Sequence, residues 1–180
     1  PMLNDIYVIQ QMYGASTTTR TDNTVYGFNS NITGTSGQIF DFARNLNPIL
    51  TIYDSAGVDT LDLSGWSTPS IIDIRPGAFS SANSMTNNIA IARNTNIENA
   101  RGGSGADKIY GNSLGNILWG GGGDDEIRGL GGADVIYGDS GNDRIFWETG
   151  DAAVYGGSGS DTLFLTGNRS LYVISFYGAS

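Results

Sequence analysis

Residues 102–164 divide without a gap into seven nonapeptides: GGSGADKIY, GNSLGNILW, GGGGDDEIR, GLGGADVIY, GDSGNDRIF, WETGDAAVY and GGSGSDTLF. Three match the pattern G-G-x-G-x-D-x-U-x, U being a large aliphatic residue, at every fixed position, and two more miss by one glycine. The eighth place is aliphatic in all seven: Ile109, Leu118, Ile127, Ile136, Ile145, Val154 and Leu163. A single glycine pair would carry little weight, but seven units in one frame do not arise by chance. The pattern is that of the RTX, or hemolysin-type, calcium-binding β-repeat.

Each unit reads as a six-residue turn followed by a three-residue strand, so two units make one coil and positions 18 apart stack. The eighth-place aliphatics then point inward, between two parallel sheets. The predicted fold is all-β: a right-handed, two-sheet parallel β-roll preceded by a β-rich segment and one short N-terminal helix. The sixth places fall on two edges. One carries Asp107, Asp125, Asp143 and Asp161, and the other Glu98, Asn116, Asp134 and Ala152. Calcium takes six to eight oxygen ligands, which turn carbonyls and stacked carboxylates can supply. Without an ion those carboxylates repel, so binding and folding are expected to be one event. Affinity follows ligand charge, so the second edge, where Asp134 faces Ala152, is expected to be the weaker. Ninth places 18 apart put Trp119, Tyr137 and Tyr155 in an outward aromatic stripe.

The remainder of the chain limits the alternatives. Glycine is 27 of 180 residues, about twice ordinary usage, with only four prolines. Eighteen acids against nine bases give a net charge of −9, which disfavours nucleic acid and anionic membrane surfaces and favours cations. No Cys and no His are present, so thiol chemistry, the commonest zinc ligand and the commonest general base are all missing. No apolar run is long enough to span a bilayer, and no membrane insertion is expected. The Gly103–Gly105 stretch lacks the following helix that a dinucleotide loop needs. The pair Asp124–Asp125 is explained by the repeat rather than by glycoside hydrolysis.

Residues 1–14, PMLNDIYVIQQMYG, predict a short helix closed by Gly14 and capped by Asn4 or Asp5. Leu3, Ile6, Ile9, Gln10 and Tyr13 share a face too small to be stable alone, which implies docking and a cut from a longer polypeptide. Residues 15–100 predict short strands at 38–42, 48–54, 59–65, 70–74 and 88–92, with no competing helix. Beyond Leu165 the frame decays into LTGNRSLYVISFYGAS.

Read together, PMLNDIYVIQQMYG, TRTDNTVYGFNSN (19–31), DSAGVDTLDLSGWS (54–67), TNIENARGGSGAD (95–107) and the repeats resemble the C-terminal half of serralysins, secreted zinc endopeptidases of the metzincin clan. The resemblance implies that residues 1–18 are the end of a protease domain and 19–180 the C-terminal domain. It implies one calcium ion held by carbonyls of Arg20, Asp22 and Thr24 with the carboxylates of Asp54 and Asp59. A second would lie among Gly57, Asp59, Glu98 and the carbonyl of Asn96. In the roll it implies Gly103, Gly105 and Asp107 with Gly120, Gly122 and Asp125, and Gly121, Gly123 and Asp125 with Gly138, Ser140 and Asp143. Asp139, Gly141 and Asp143 would join Gly156, Ser158 and Asp161, and on the other edge Asn112, Leu114 and Asn116 would join Gly129, Gly131 and Asp134. Asp22-Asn23 stands where the family usually has Gly-Asp, and Ala56 and Val58 replace Gly and Asn.

The implied function is a non-catalytic, calcium-gated folding and secretion domain of an extracellular zinc endopeptidase. Its implied partners are the protease domain and a type I secretion channel. The family's HExxH zinc motif cannot occur in a chain without His. The runner-up is a repeat module of an adhesin, surface-layer protein or polysaccharide-modifying enzyme, which leaves residues 1–31 unexplained.

Overall fold

The computed structural model describes residues 3–166, so the reading of residues 167–180 lies outside the described residues. The elements preceding the repeats are α1 (Leu3–Tyr13), β1 (Val25–Gly27), α2 (Gly34–Phe40), β2 (Leu50–Ile52), β3 (Thr60–Asp62), β4 (Ile71–Asp73), β5 (Phe79–Ser80), β6 (Ile89–Ile91) and β7 (Asn99–Arg101). The repeats supply one strand each: β8 (Lys108–Tyr110), β9 (Ile117–Gly122), β10 (Glu126–Arg128), β11 (Val135–Ser140), β12 (Arg144–Trp147), β13 (Ala153–Tyr155) and β14 (Thr162–Leu165).

Successive repeats alternate between two parallel sheets, as an 18-residue coil requires. One runs β1-β3-β7-β9-β11-β13 and the other β14-β12-β10-β8-β4. Register is kept at every step, for example Leu118 beside Ile136 and Ile136 beside Val154. In the second sheet Ile72, Ile109, Ile127, Ile145 and Leu163 align. The roll also extends below the repeats: Tyr26, Leu61 and Ala100 continue the inward column of the first sheet. Those lower coils consume 35 and 39 residues rather than 18. The excursions hold α2 and a small third sheet, β2-β6-β5.

A parallel sheet buried on its inner face needs apolar residues at alternate positions only. The eighth-place residues from Ile109 to Ile145 are accordingly buried, while Leu163 in the last described strand is 43% exposed. Below the repeats the core widens. Phe42 stacks on Trp66 at 5.2 Å between ring centres, Phe28 meets both edge-on, and Phe40 meets Tyr26 edge-on. On the outer face Trp119, Tyr137 and Tyr155 form the expected stripe, stacked at 6.0 and 4.9 Å. Arg101 lies 4.6 Å over the Trp119 ring and continues the stripe downward. The opposite sheet carries a second stack, Phe146 on Phe164, with Arg128 3.6 Å over Phe146.

Two expectations need correction. The stretch 38–42 is not a strand: α2 occupies 34–40, followed by a single bridging residue, Asp41, paired to Gly27. Phe40 and Phe42 are both buried, as alternation suggested, but a helix end plus one extended residue achieves it. Gly37 permits this because a Cβ there would lie 2.3 Å from the Ile32 carbonyl oxygen. In α1, Asn4 and Asp5 sit inside the first turn rather than capping it, where Asp5 complements the helix dipole. Its docked face is also narrower than predicted. Leu3 and Gln10 are buried, Gln10 accepts from Asn94, and Tyr7 lies under Arg93, whereas Ile9 and Tyr13 are 57% and 79% exposed.

The packing predicts unequal truncations. Ile127→Ala should cost about 2–5 kcal/mol, the usual range for a fully buried aliphatic, and Leu163→Ala well under half of that. Guanidinium unfolding at fixed calcium measures both, and equal losses would contradict the inward column.

Candidate metal centres along the two edges

One hydrogen bond recurs along the roll. The residue just before a strand donates its N–H to the side chain of the equivalent residue one coil later. On the first edge the series is Ser70 to Asp107 at 2.6 Å, Asp107 to Asp125 at 2.7 Å, Asp125 to Asp143 at 2.9 Å and Asp143 to Asp161 at 3.0 Å. On the second it is Thr24 to Asp59 at 2.7 Å, Asp59 to Glu98 at 2.8 Å and Asn116 to Asp134 at 2.7 Å. In each Asp of the series that bond engages Oδ1. The second oxygen, Oδ2, of Asp125, Asp134 and Asp143 is buried without a partner. A buried polar atom left unpaired costs about 1–3 kcal/mol, and more when charged. Two of these oxygens stack on the first edge and one lies on the second.

The first-place glycines serve these carboxylates by close approach, not by unusual dihedrals. A Cβ on Gly102, Gly120, Gly138 or Gly156 would lie 2.3–2.5 Å from Oδ2 of the carboxylate in its own turn. On the second edge a Cβ on Gly129 would lie 2.0 Å from Asp134 Oδ2. The sixth repeat fits the same rule: it has no sixth-place carboxylate, only Ala152, and its first place holds Trp147.

Electrostatics follow from burial. Desolvation, then the neighbouring Asp107, Asp143 and Asp124 charges, pushes Asp125 up to about 8, against the backbone bond from Asp107 that lowers it. Desolvation also raises Asp107 and Asp143, the latter further through Asp161, Asp124 and Asp139. Asp59 rises to about 7 through desolvation and the nearby Asp54 and Glu98.

Below the repeats the structure gathers the other predicted ligands around two hollows. Arg20, Asp22 and Thr24 line one, with Arg20 in the left-handed region at φ 50°. Asp54, Gly57, Asp59, Asn96 and Glu98 line the other, a cavity of about 90 Å³. The two adjoin at Gly57, where a Cβ would lie 2.6 Å from the Asp22 carbonyl oxygen and 3.0 Å from Asp59 Oδ1. Asp54 also accepts from the Tyr26 hydroxyl at 2.6 Å. Asn23 takes over a scaffold role, its Oδ1 accepting the N–H of Val58 and its carbonyl accepting from Asn31.

Asn112 and Asn116 behave differently from the Asp column. Asn112 donates to the Ile97 carbonyl at 2.7 Å, and Asn116 donates to the Glu98 carbonyl at 2.9 Å and to Asn112 Oδ1 at 3.1 Å. Here amide N–H groups bond carbonyl and side-chain oxygens between successive turns. The expected weak step at Asp134 is also altered. Asp151 and Glu148 both act on Asp134, so that carboxylate does not face a neutral turn. Sequence reading missed Asp151 because it stands in the fifth place, and missed Ser70 because nothing in its own segment marks a coil; Thr24 was named only through the family resemblance, as a carbonyl rather than as the first N–H of this column.

Among the described residues no three acidic side chains alone converge as a metal site. That accords with a design in which backbone carbonyls supply much of the shell, as hard, oxygen-seeking calcium allows. The candidate ligand atoms at the edges are all oxygens, two carboxylates stack at each first-edge step from Asp107 upward, and Oδ2 of Asp125 and Asp143 is left unpaired there. The residues present therefore fit calcium.

Against known families, residues 15–176 match the model described as Peptidase M10 serralysin C terminal. The chain belongs to the serralysin C-terminal family. It is 46% identical to serralysin of Proteus mirabilis over 120 residues, which is 66% of this chain and 24% of that protein. It is 44% identical to serralysin C of Dickeya chrysanthemi over 107 residues, covering 59% and 22%, and 42% identical to metalloprotease AprA of Pseudomonas entomophila over 118, covering 66% and 24%. The chain thus spans about a quarter of the length of the curated relatives it matches. The serralysin match falls on the non-catalytic C-terminal part, and it starts far ahead of the repeats. An adhesin or surface-layer module does not account for that.

Two predictions follow from the geometry. Gly120→Ala should lower stability by about 1–3 kcal/mol, since its Cβ would strike Asp125 Oδ2 and the Gly138 carbonyl. Gly131→Ala, whose nearest neighbour would be 3.7 Å away, should be tolerated; similar losses in denaturant titrations would count against the close-approach reading.

The second concerns pH without divalent ions. Asp59 and Asp125 have folded pKa values above the ordinary carboxylate value, so protonation favours the fold. That stabilisation is complete below about pH 4 and is lost as pH rises through 7 to 8. In chelator, circular dichroism should therefore show β-structure increasing from about pH 8.5 to 5.5. A loss on acidification would contradict it.

Proposed function

We propose that this chain is the calcium-gated folding domain of a secreted serralysin-type zinc endopeptidase. The reading is carried by one observation: the buried and unpartnered Oδ2 atoms of Asp125 and Asp143 on the first edge and of Asp134 on the second. An ion there supplies positive charge between two carboxylates and completes their bonding. On the first edge Asp107 with Asp125, Asp125 with Asp143, and Asp143 with Asp161 would hold the ions. The turn carbonyls of Gly103, Gly105, Gly120 and Gly122, and their equivalents one coil up, would complete each shell. Asp54, Asp59 and Glu98, with the Arg20, Asp22 and Thr24 turn, would hold ions at the lower hollows.

The consequence is a switch set by location. Extracellular calcium modules have dissociation constants of roughly 0.1–1 mM, far above cytosolic calcium. Each site adds RT ln(1 + [L]/Kd) to the folded state, and several sites together exceed the stability of a marginal domain. In the cytosol the roll would remain unfolded and pass through a type I channel. Outside it would fold and help to fold and steady the protease domain to which it is joined.

Calcium titration followed by circular dichroism tests this on the whole chain. In chelator residues 102–164 should lose their β signal, and calcium should restore it cooperatively. Asp125→Ala or Asp143→Ala removes a carboxylate shared by two ions. Either should raise the calcium midpoint more than Asp107→Ala or Asp161→Ala, which sit at the column's ends. A full β signal in excess chelator at neutral pH would defeat the proposal.

A further inference from the structure

The sixth repeat, WETGDAAVY (147–155), breaks the nonapeptide at three fixed places, Trp147, Glu148 and Ala152, and the fold repairs it with other atoms. In the first two repeats the second residue donates its N–H to the sixth side chain, Gly103 to Asp107 and Asn112 to Asn116, both at 2.8 Å. In the sixth repeat Glu148 makes the equivalent bond to Asp151 Oδ2 at 2.7 Å. The turn is one residue tighter, closed by the Asp151 N–H on the Glu148 carbonyl at 3.2 Å. Ala152 and Ala153 then both donate to the Asp134 carbonyl, at 2.8 and 3.1 Å. Residue 152 has moved into the strand's hydrogen-bond register, and Asp151 stands where a sixth-place carboxylate would be.

One coil below, Asp134 is fully buried, its Oδ1 accepts from Asn116, and its Oδ2 has no partner. The sixth repeat's turn stacks directly on this residue, since Ala152 and Ala153 both donate to its carbonyl, and Asp151 and Glu148 add negative charge to the Asp134 carboxyl from there. Carboxylates stacked this way, one of them without solvent, repel unless a proton or a cation lies between them.

We propose that the turns at 130–134 and 148–151 form a calcium site outside the nonapeptide pattern, with Asp134 and Asp151 as its carboxylate ligands. The all-oxygen donors select a hard divalent cation, and turn carbonyls complete the shell. Asp151, unlike the repeat's own acids, acts from the fifth place. The second edge thereby gains a two-carboxylate step at the height where the repeat frame writes an alanine. This rests on the calcium reading above, and its test separates the two.

Calcium binding to the full chain is measured by isothermal titration and by equilibrium dialysis against calcium alone. Asp151→Asn keeps an acceptor for the Glu148 N–H and removes only the charge. It should lose roughly one calcium equivalent, or weaken one equivalent at least tenfold, while Asp124→Asn, off both columns, loses none. Adding Trp147→Gly and Ala152→Asp to Asp151→Asn, which rebuilds the first and sixth places of the repeat together, should restore the missing equivalent. If Asp151→Asn does not fold in saturating calcium, this triple variant decides alone: regained folding with wild-type equivalents supports the site, and failure to regain them overturns it. An Asp151→Asn titration identical to wild type would overturn the site and leave the calcium reading intact. A wild-type chain that binds no calcium would overturn both.

Discussion

The rest of the roll depends on a backbone N–H that donates to a carboxylate one coil later. The bond joins coils at their edges, where strand pairing has ended, and it draws the carboxylate out of solvent. Asp107, Asp125, Asp134 and Asp143 are each at most 1% exposed. A charge-assisted bond contributes about 1.5–3 kcal/mol, whereas removing a carboxylate from water costs several. The bond alone therefore leaves a deficit at each step. The core cannot easily offset it, since a nonapeptide gives the interior only one aliphatic side chain. A roll of this kind is short of apolar burial by construction, and the deficit at its edges is what the proposed cations would offset.

The same bond explains composition that would otherwise look like a taste for glycine. Folding Oδ2 back over its own turn leaves no room for a Cβ at the first place, so the first and sixth places are coupled. Gly102, Gly111, Gly120, Gly129, Gly138 and Gly156 each accompany Asp or Asn five residues later, and Trp147 accompanies Ala152. Left-handed backbone matters at different places. Gly121 and Gly123 adopt it, but so do Leu130 at φ 77° and Asp139 at φ 70° in equivalent second places, so there glycine is preferred rather than required.

How far the fold could be read from sequence depended on how many residues a coil consumes. From residue 102 onward each coil closes in 18, the eighth-place aliphatics fall into one frame, and sheets, core and acid column were all legible. Below it the coils take 35 and 39 residues, and no period reveals that Thr24, Asp59 and Glu98, or Ser70 and Asp107, are one column. Resemblance to a family named most of those residues where periodicity could not. α2 was hidden because QIFDF alternates like a strand, and the helix that replaces it buries the same two phenylalanines. Asp151 was hidden for the opposite reason: a strict frame assigns roles by place, and a one-residue tightening of the turn moves the role to a neighbour.

These steps are not alike along the roll, and the difference has a direction. At the bottom, the columns begin on N–H donors of uncharged residues, Thr24 and Ser70. Phe28, Phe42 and Trp66 thicken the core there. Midway up the second edge, Asn112 and Asn116 offer amide donors to carbonyls and to each other, so that step satisfies itself. Above Asp125 and Asp134 the aromatic core has ended, the interior is one aliphatic column from each sheet, and every sixth-place contact involves a carboxylate. Apolar burial and the protein's own donors thus dominate below, and uncompensated negative charge dominates above. On the proposed function a cation would matter wherever carboxylates are buried together, at the Asp54, Asp59 and Glu98 hollow as along the repeats, but only in the repeats is there so little apolar core to offset its absence.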